Sequence, residues 1–209
     1  MLRNNSSNSV DQTSTSIPSI DLADIILYAP HSKEHPQTKN DKGQIIKGTA
    51  LASFMGYKNS LIEWTDTKGI DRQQPKLALV FAVKLSNGSF KNIPVKTNYT
   101  VAPGSNLESA LIALGVTPEY QKIQQDPEDE LFGTITTLNR EKLENDLEAL
   151  KGLAYLVTVE NKVSKNNRYY NDIDLVTLKP RLDKEGKHQR ITPADKCDVS
   201  ELKINFNDD

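Results

Sequence analysis

Cysteine is nearly absent: Cys197 stands alone among 209 residues, which excludes an internal disulfide and a cysteine-rich metal site and fits a reducing cytoplasm. Long apolar runs are missing too. No stretch approaches the roughly 20 residues needed to span a membrane, and the polar N-terminus has neither the basic start nor the apolar centre of a signal peptide. A cytoplasmic protein is therefore expected. Hydrophobic residues make up only 36%, so part of the length is expected to stay unfolded. A basic excess is also lacking, because the formal net charge is -2. That argues against a uniformly cationic surface.

Catalytic signatures are equally scarce. The chain has no G-x-x-x-x-G-K-S/T phosphate loop, no G-x-G-x-x-G fingerprint and no nucleophile elbow. The nearest approach is the H-x-x-E-H string His31-Ser32-Lys33-Glu34-His35. In zinc peptidases that spacing works because a helix sets both imidazoles on one face, with the carboxylate beside a zinc-bound water. Here Pro36 disfavours helical backbone at His35 and Pro30 lies just before, so the string reads as loop. Asp172 and Asp174 lie two apart on one strand face, but no acid-x-Lys partner follows, and a solvated strand edge explains them. No catalytic residue, metal or cofactor is expected, and the chain does not read as an enzyme.

What is present divides the chain into four parts. Residues 1–19 are mostly Ser, Asn, Thr and Gln and read as a disordered arm, because they offer too little apolar surface to offset ordering entropy. Residues 20–43 join an apolar docking segment, Ile20 to Tyr28, to a Pro- and His-containing linker. Residues 44–180 read as one mainly β domain with a helical insertion at 117–151. Residues 181–209 are charged and weakly apolar, with only Val199, Leu202, Ile204 and Phe206 as anchors, and read as a tail; His188 within it is expected to be exposed.

Inside the domain, Gln44 to Phe54 opens a first strand, with Gly48 and Gly56 placed for a sharp bend and Leu61 to Trp64 continuing it. Leu77, Leu79, Phe81, Val83 and Leu85 alternate at period two, the strongest strand signal in the chain. Asn87-Gly88 then marks a tight hairpin, because both residues tolerate positive φ, and Ser89 to Lys96 is its antiparallel partner. A helix follows: Ser105 caps it, Glu108 completes a capping box, and Leu107, Ala110, Leu111 and Leu114 form one stripe that Gly115 ends. Thr117-Pro118 reads as the start of a second short helix, and Asn139 to Leu150 as a third with Leu143, Leu147 and Leu150 on one face. Leu153 to Val159 and Arg168 to Leu178 are the last two strands, joined by a polar turn.

This β-β-β-α-β-β order is that of an OB-fold, a small antiparallel barrel. The passage SNLESALIALGV and the stretch LKGLAYLVTVENKVSKNNRYYNDIDLVTLKP resemble the single-stranded DNA-binding OB-fold proteins of phages and plasmids, over about residues 48–180. The resemblance implies sequence-tolerant binding of single-stranded DNA in replication or recombination. It also implies that the end of the chain around Phe206 recruits a protein partner.

The distribution of charge agrees with that expectation. From Lys76 to Val101 there are four lysines and no acid, and from Asn161 to Tyr170 three cations and no acid, whereas the acids gather at Asp126 to Glu130 and Glu141 to Glu148. Single strands are held by basic grooves plus aromatic rings on which bases stack. The expected contacts are Lys84, Lys91, Lys96, Lys162, Lys165 and Arg168, with Tyr57, Phe90, Tyr99 and Tyr170 as rings. Of the adjacent Tyr169 and Tyr170, opposite strand faces make one exposed, and Tyr170 is favoured because Tyr169 shares parity with Asn171, Ile173 and Leu175. Phe81 and Trp64 read as core. RNA stays open as a ligand, since no residue identifies a contact to a 2′-OH. The competing reading is a protein-interaction module on a β scaffold without nucleic-acid binding.

Overall fold

A computed structural model describes residues 39, 42–85, 87–99, 104–124, 134–193 and 198–206, without the side chains of 122–124 and 134–137. The N-terminal arm, the segment Ile20 to Tyr28, the His31 to His35 string, the acidic run Asp126 to Glu130 and Cys197 lie outside the described residues. The elements in chain order are β1 (Lys47–Thr65), β2 (Asp71–Lys84), β3 (Phe90–Asn98), α1 (Asn106–Leu114), β4 (Tyr120–Gln124), β5 (Thr134–Leu138), α2 (Arg140–Ala149), β6 (Ala154–Val163) and β7 (Tyr169–Pro180). Five of the strands form one antiparallel sheet in the order β3-β2-β1-β6-β7, while β4 and β5 pair separately.

Period-two patterning builds the core face of that sheet. Leu77, Leu79, Phe81 and Val83 of β2 pack with Ala50, Ala52 and Phe54 of β1 and with Tyr155, Val157 and Val159 of β6. Helix α1 lays its Leu107, Ala110, Leu111 and Leu114 stripe onto this face, and α2 adds Leu143 and Leu147. The helix ends follow from their caps. Ser105 accepts from the Glu108 backbone N–H, Asn139 accepts from that of Lys142, and Gly115 closes α1 at φ +89°. A buried bond from Tyr155 Oη to the Leu114 carbonyl, 3.0 Å, ties α1 to β6.

The long first strand bends where its glycine stands. Pairing of β1 with β2 shifts register between Phe54 and Gly56, and Gly56 takes φ +128°. A Cβ there would lie 2.6 Å from Lys151 Cε, so the lysine stem occupies the room that glycine leaves.

Thr117-Pro118 does not start a helix. The chain runs instead into the β4–β5 hairpin, in which Tyr120 pairs with Leu138 and Ile123 with Ile135. Helix propensity at a Pro-containing cap was outweighed by cross-strand pairing of the Thr- and Ile-rich segment Thr134–Leu138.

Nor do the described residues beyond Pro180 hang free. Residues 181 to 191 double back as a hairpin on the start of β6, with Arg181 N–H bonded to the Ala154 carbonyl and Ala154 N–H to that of Gln189. His188 is half-buried, bonds through Nε2 to the Ala154 carbonyl at 2.7 Å, and stands edge-on to the Tyr155 ring. Residues 191 and 198–206 lie against the sheet's outer face. Ser53 Oγ donates to the Ile191 carbonyl, Lys58 Nζ to the Ser200 and Leu202 carbonyls, and Lys96 Nζ to that of Asn205. Lys58, Ala78 and Lys96 are cross-strand partners and form one row on that face. Val199 and Phe206 are each only 8% exposed, so Phe206 is a packing anchor of this strap rather than a presented tip.

Candidate nucleic-acid interface

Three-residue hairpin loops shape the ends of the sheet. In the turns beginning at Asp66, Leu85, Ser164 and Asp183, the first residue's N–H bonds to the carbonyl four residues on, and the N–H of the fourth residue bonds back to the first carbonyl. That fourth position takes positive φ and is Gly69, Gly88, Asn167 and Gly186 respectively. The Asn87-Gly88 signal thus marks a hairpin as expected, but only Gly88 takes positive φ. Asn87 instead accepts from the Ser89 N–H with its side chain.

Two of these hairpins carry most of the expected contacts. Lys84 and Phe90 face each other at the β2–β3 end, and Lys162 and Tyr170 at the β6–β7 end, where Lys165 and Arg168 occupy the exposed turn. Tyr170 is 39% exposed and Tyr169 half-buried, as strand parity predicts. A side-chain bond joins the hairpins. Lys91 Nζ donates to Asn171 Oδ1 at 3.1 Å, from β3 to β7. Lys91 shares a row with Ala52 and Val83, so its stem lies on the core face and burial pushes its pKa down to about 8.

The bond also orients what lies behind it. A lysine ammonium only donates, so Asn171 must turn its oxygen to Lys91 and its nitrogen to Asn161 Oδ1, 2.8 Å away. Asn161 is 1% exposed and its Nδ2 has no partner among the described residues. Sequence reasoning passed over this pair. The available signal was a polar residue at the parity of Val159 and Ile173, where an apolar one is the norm.

The remaining expected contacts stand elsewhere. Tyr99 is buried, 6% exposed, with Arg140 over its ring at 5.1 Å, so it is a core residue and no stacking platform. Its pKa is pushed up to about 12, by burial first and by the Glu144 charge second. Tyr57 is half-buried at the same end of the sheet, and burial, then Glu144 and Glu148, raise its pKa as well. An acidic helix beside both rings repels phosphate. Lys96 belongs to the row under the C-terminal strap. Lys162 is half-buried and bound to Asp172 at 2.6 Å and to Glu160 at 3.5 Å. Burial acts against its charge, but the Asp172 bond and the two carboxylates outweigh it and raise its pKa.

Trp64 also departs from expectation. It is 45% exposed, on the part of the β1–β2 hairpin that runs past the ends of β3 and β6 as a two-stranded ribbon with Leu61 and Ile70. The neighbours that would cover a central strand stop short of it. The chain as a whole matches no protein-family model, no curated protein and no solved structure.

Proposed function

We propose that this protein binds single-stranded DNA without strong sequence preference, on an OB-like scaffold, through the joined ends of the β2–β3 and β6–β7 hairpins. The observation that carries the reading is the Lys91 to Asn171 bond, which links the β2–β3 hairpin, bearing Lys84, Phe90 and Lys91, to the β6–β7 hairpin, bearing Lys165, Arg168 and Tyr170. The two hairpins supply cations for phosphates and rings for bases. The strand order β3-β2-β1-β6-β7, with α1 between β3 and β6, supports the OB-like reading, since a five-stranded Greek-key sheet needs only its end strands brought together to close. Replication and recombination are the processes in which such binding acts.

Fluorescence anisotropy of a labelled oligo-dT tests this. With the four cations Lys84, Lys91, Lys165 and Arg168 in contact, log K should fall against log salt with a slope of about -3, near 50-fold weaker binding from about 50 to 200 mM salt. Unchanged anisotropy at about 50 mM salt and micromolar protein removes the reading and leaves the protein-interaction module.

A further inference from the structure

Residues 179 to 190 carry Lys179, Arg181, Lys184, Lys187 and Arg190 against only Asp183 and Glu185, in a chain whose net charge is -2. The segment is fixed in place. Arg181 N–H bonds to the Ala154 carbonyl, Gln189 N–H to the Arg181 carbonyl, and the Arg190 guanidinium to the Lys151 carbonyl at 2.6 Å. Both acids are engaged as well: Asp183 accepts from the Glu185 and Lys187 N–H groups within the turn, and Glu185 pairs with Lys187 Nζ at 3.0 Å. Lys179, Arg181 and Lys184 are exposed, and their side chains have no hydrogen-bond or ion-pair partner among the described residues.

We propose that this hairpin is a further arm of the nucleic-acid interface, in which Lys179, Arg181 and Lys184 take phosphates of the same single strand that the β2–β3 hairpin holds. It rests on single-stranded DNA binding at the β2–β3 and β6–β7 hairpins, and strand register supplies the connection. Ala52 and Val83 pair on the core face, which sets their neighbours Leu51 and Lys84 side by side on the outer one. Lys84 is opposite Phe90, Leu51 opposite Leu156, and Leu156 opposite Lys179. One outer-face row therefore runs Phe90, Lys84, Leu51, Leu156, Lys179 across all five strands, about 19 Å at about 4.8 Å per step.

The chemistry of the row selects the ligand. Lys84 and Lys179 flank half-buried Leu51 and Leu156, so the matching ligand carries repeated anions along one side and apolar surface along the other, as a single-stranded nucleic acid does. An acidic peptide supplies the anions without the base faces. The acids of the adjoining rows are already engaged: Asp174, opposite Thr158, accepts from the Val176 N–H, and Glu160 and Asp172 hold Lys162. Lys84 and Lys179 stand about 14 Å apart, beyond the Debye length of about 8 Å at physiological salt, so each adds a phosphate contact of its own.

The test compares the full chain with its combined Lys179→Gln, Arg181→Gln and Lys184→Gln variant, by anisotropy of labelled oligo-dT across a range of salt. The four cations at the hairpin ends alone give a slope of about -3 in log K against log salt. Seven should give about -5 in the wild type, and the variant should return to about -3 and bind at least about tenfold more weakly at about 50 mM salt. Circular dichroism and melting temperature should be unchanged, because all three side chains are exposed, and Lys184→Gln alone should remove about 0.7 from the slope. A wild type that binds oligo-dT with the slope and affinity of the variant overturns this proposal and leaves binding at the hairpin ends standing, whereas a wild type that binds no oligo-dT overturns both. A hexaglutamate peptide held by the wild type and lost by the variant, with equal oligo-dT affinity in the two, assigns the hairpin to an acidic protein partner and overturns the proposal as well.

Discussion

Lys91 Nζ reaches Asn171 Oδ1 across 3.1 Å and ties the β2–β3 hairpin to the β6–β7 hairpin. A charge-assisted bond contributes about 1.5–3 kcal/mol. Replacing Asn171 with Ala also removes the donor to Asn161 Oδ1, so Asn171→Ala should lower unfolding free energy by about 2 kcal/mol, read from urea denaturation. A double-mutant cycle with Lys91→Met should show coupling of at least 0.5 kcal/mol, roughly the lower bound for groups in contact. Additive effects would mean that the bond does not join the hairpins.

Burial of Lys91 predicts an unusual pH dependence. Its folded pKa of about 8 lies below the ordinary lysine value of 10.5, so between those values the unfolded chain holds a proton that the folded chain has released. Stability should therefore rise with pH across that window. Above about pH 10 the sign reverses, because Tyr99 and Tyr155, both raised to about 12, stay neutral in the fold while the unfolded tyrosines ionise. Thermal melts of the wild type should show the rise and fall, and Lys91→Met should keep the fall alone.

The C-terminal strap should be integral to the fold. Phe206 and Val199 are buried on the outer face, and Lys58 and Lys96 hold the strap's carbonyls. Phe206→Ala should cost about 3 kcal/mol, as for other buried phenylalanines. A loss under about 0.5 kcal/mol would show that the strap does not pack there.

Much of this architecture could be read from residue patterns, because they reported local physics. The period-two run of β2, the Ser105 cap of α1, the Asn139 cap of α2 and the Gly56 bend are each set by neighbours close in sequence, and each stands where expected, although the Glu108 carboxylate accepts from the Gly104 N–H rather than completing a capping box. What escaped depends on distant partners. The strap's burial needs the small outer-face residues of β1 and β2, and the solvation of Trp64 depends on where β3 and β6 stop. Tyr99 sits among cations in sequence, yet Arg140 and Glu144 of α2 come to surround it in space. The site was legible in part. Lys84, Phe90, Lys165, Arg168 and Tyr170 stand on the two hairpins that the Lys91 to Asn171 bond links, whereas Tyr57, Tyr99, Lys96 and Lys162 are drawn into other contacts.

That division predicts which substitutions matter for binding. Phe90→Ala and Tyr170→Ala should each weaken oligo-dT binding by about 1–3 kcal/mol if bases stack on them. Tyr57→Phe should leave affinity unchanged within twofold, because the ring faces the acidic helix α2. Competition titrations read both, and equal losses at Tyr57 and Tyr170 would contradict the assignment.

The most direct measurement is oligo-dT anisotropy for the wild type beside the triple variant Lys84→Glu, Lys165→Glu and Arg168→Glu. All three side chains are exposed, so circular dichroism and melting temperature should be nearly unchanged. The account predicts salt-sensitive binding by the wild type and its loss, at least 100-fold at about 50 mM salt, in the variant. Wild-type protein that leaves the oligonucleotide unbound, or a variant that binds equally well, would contradict it.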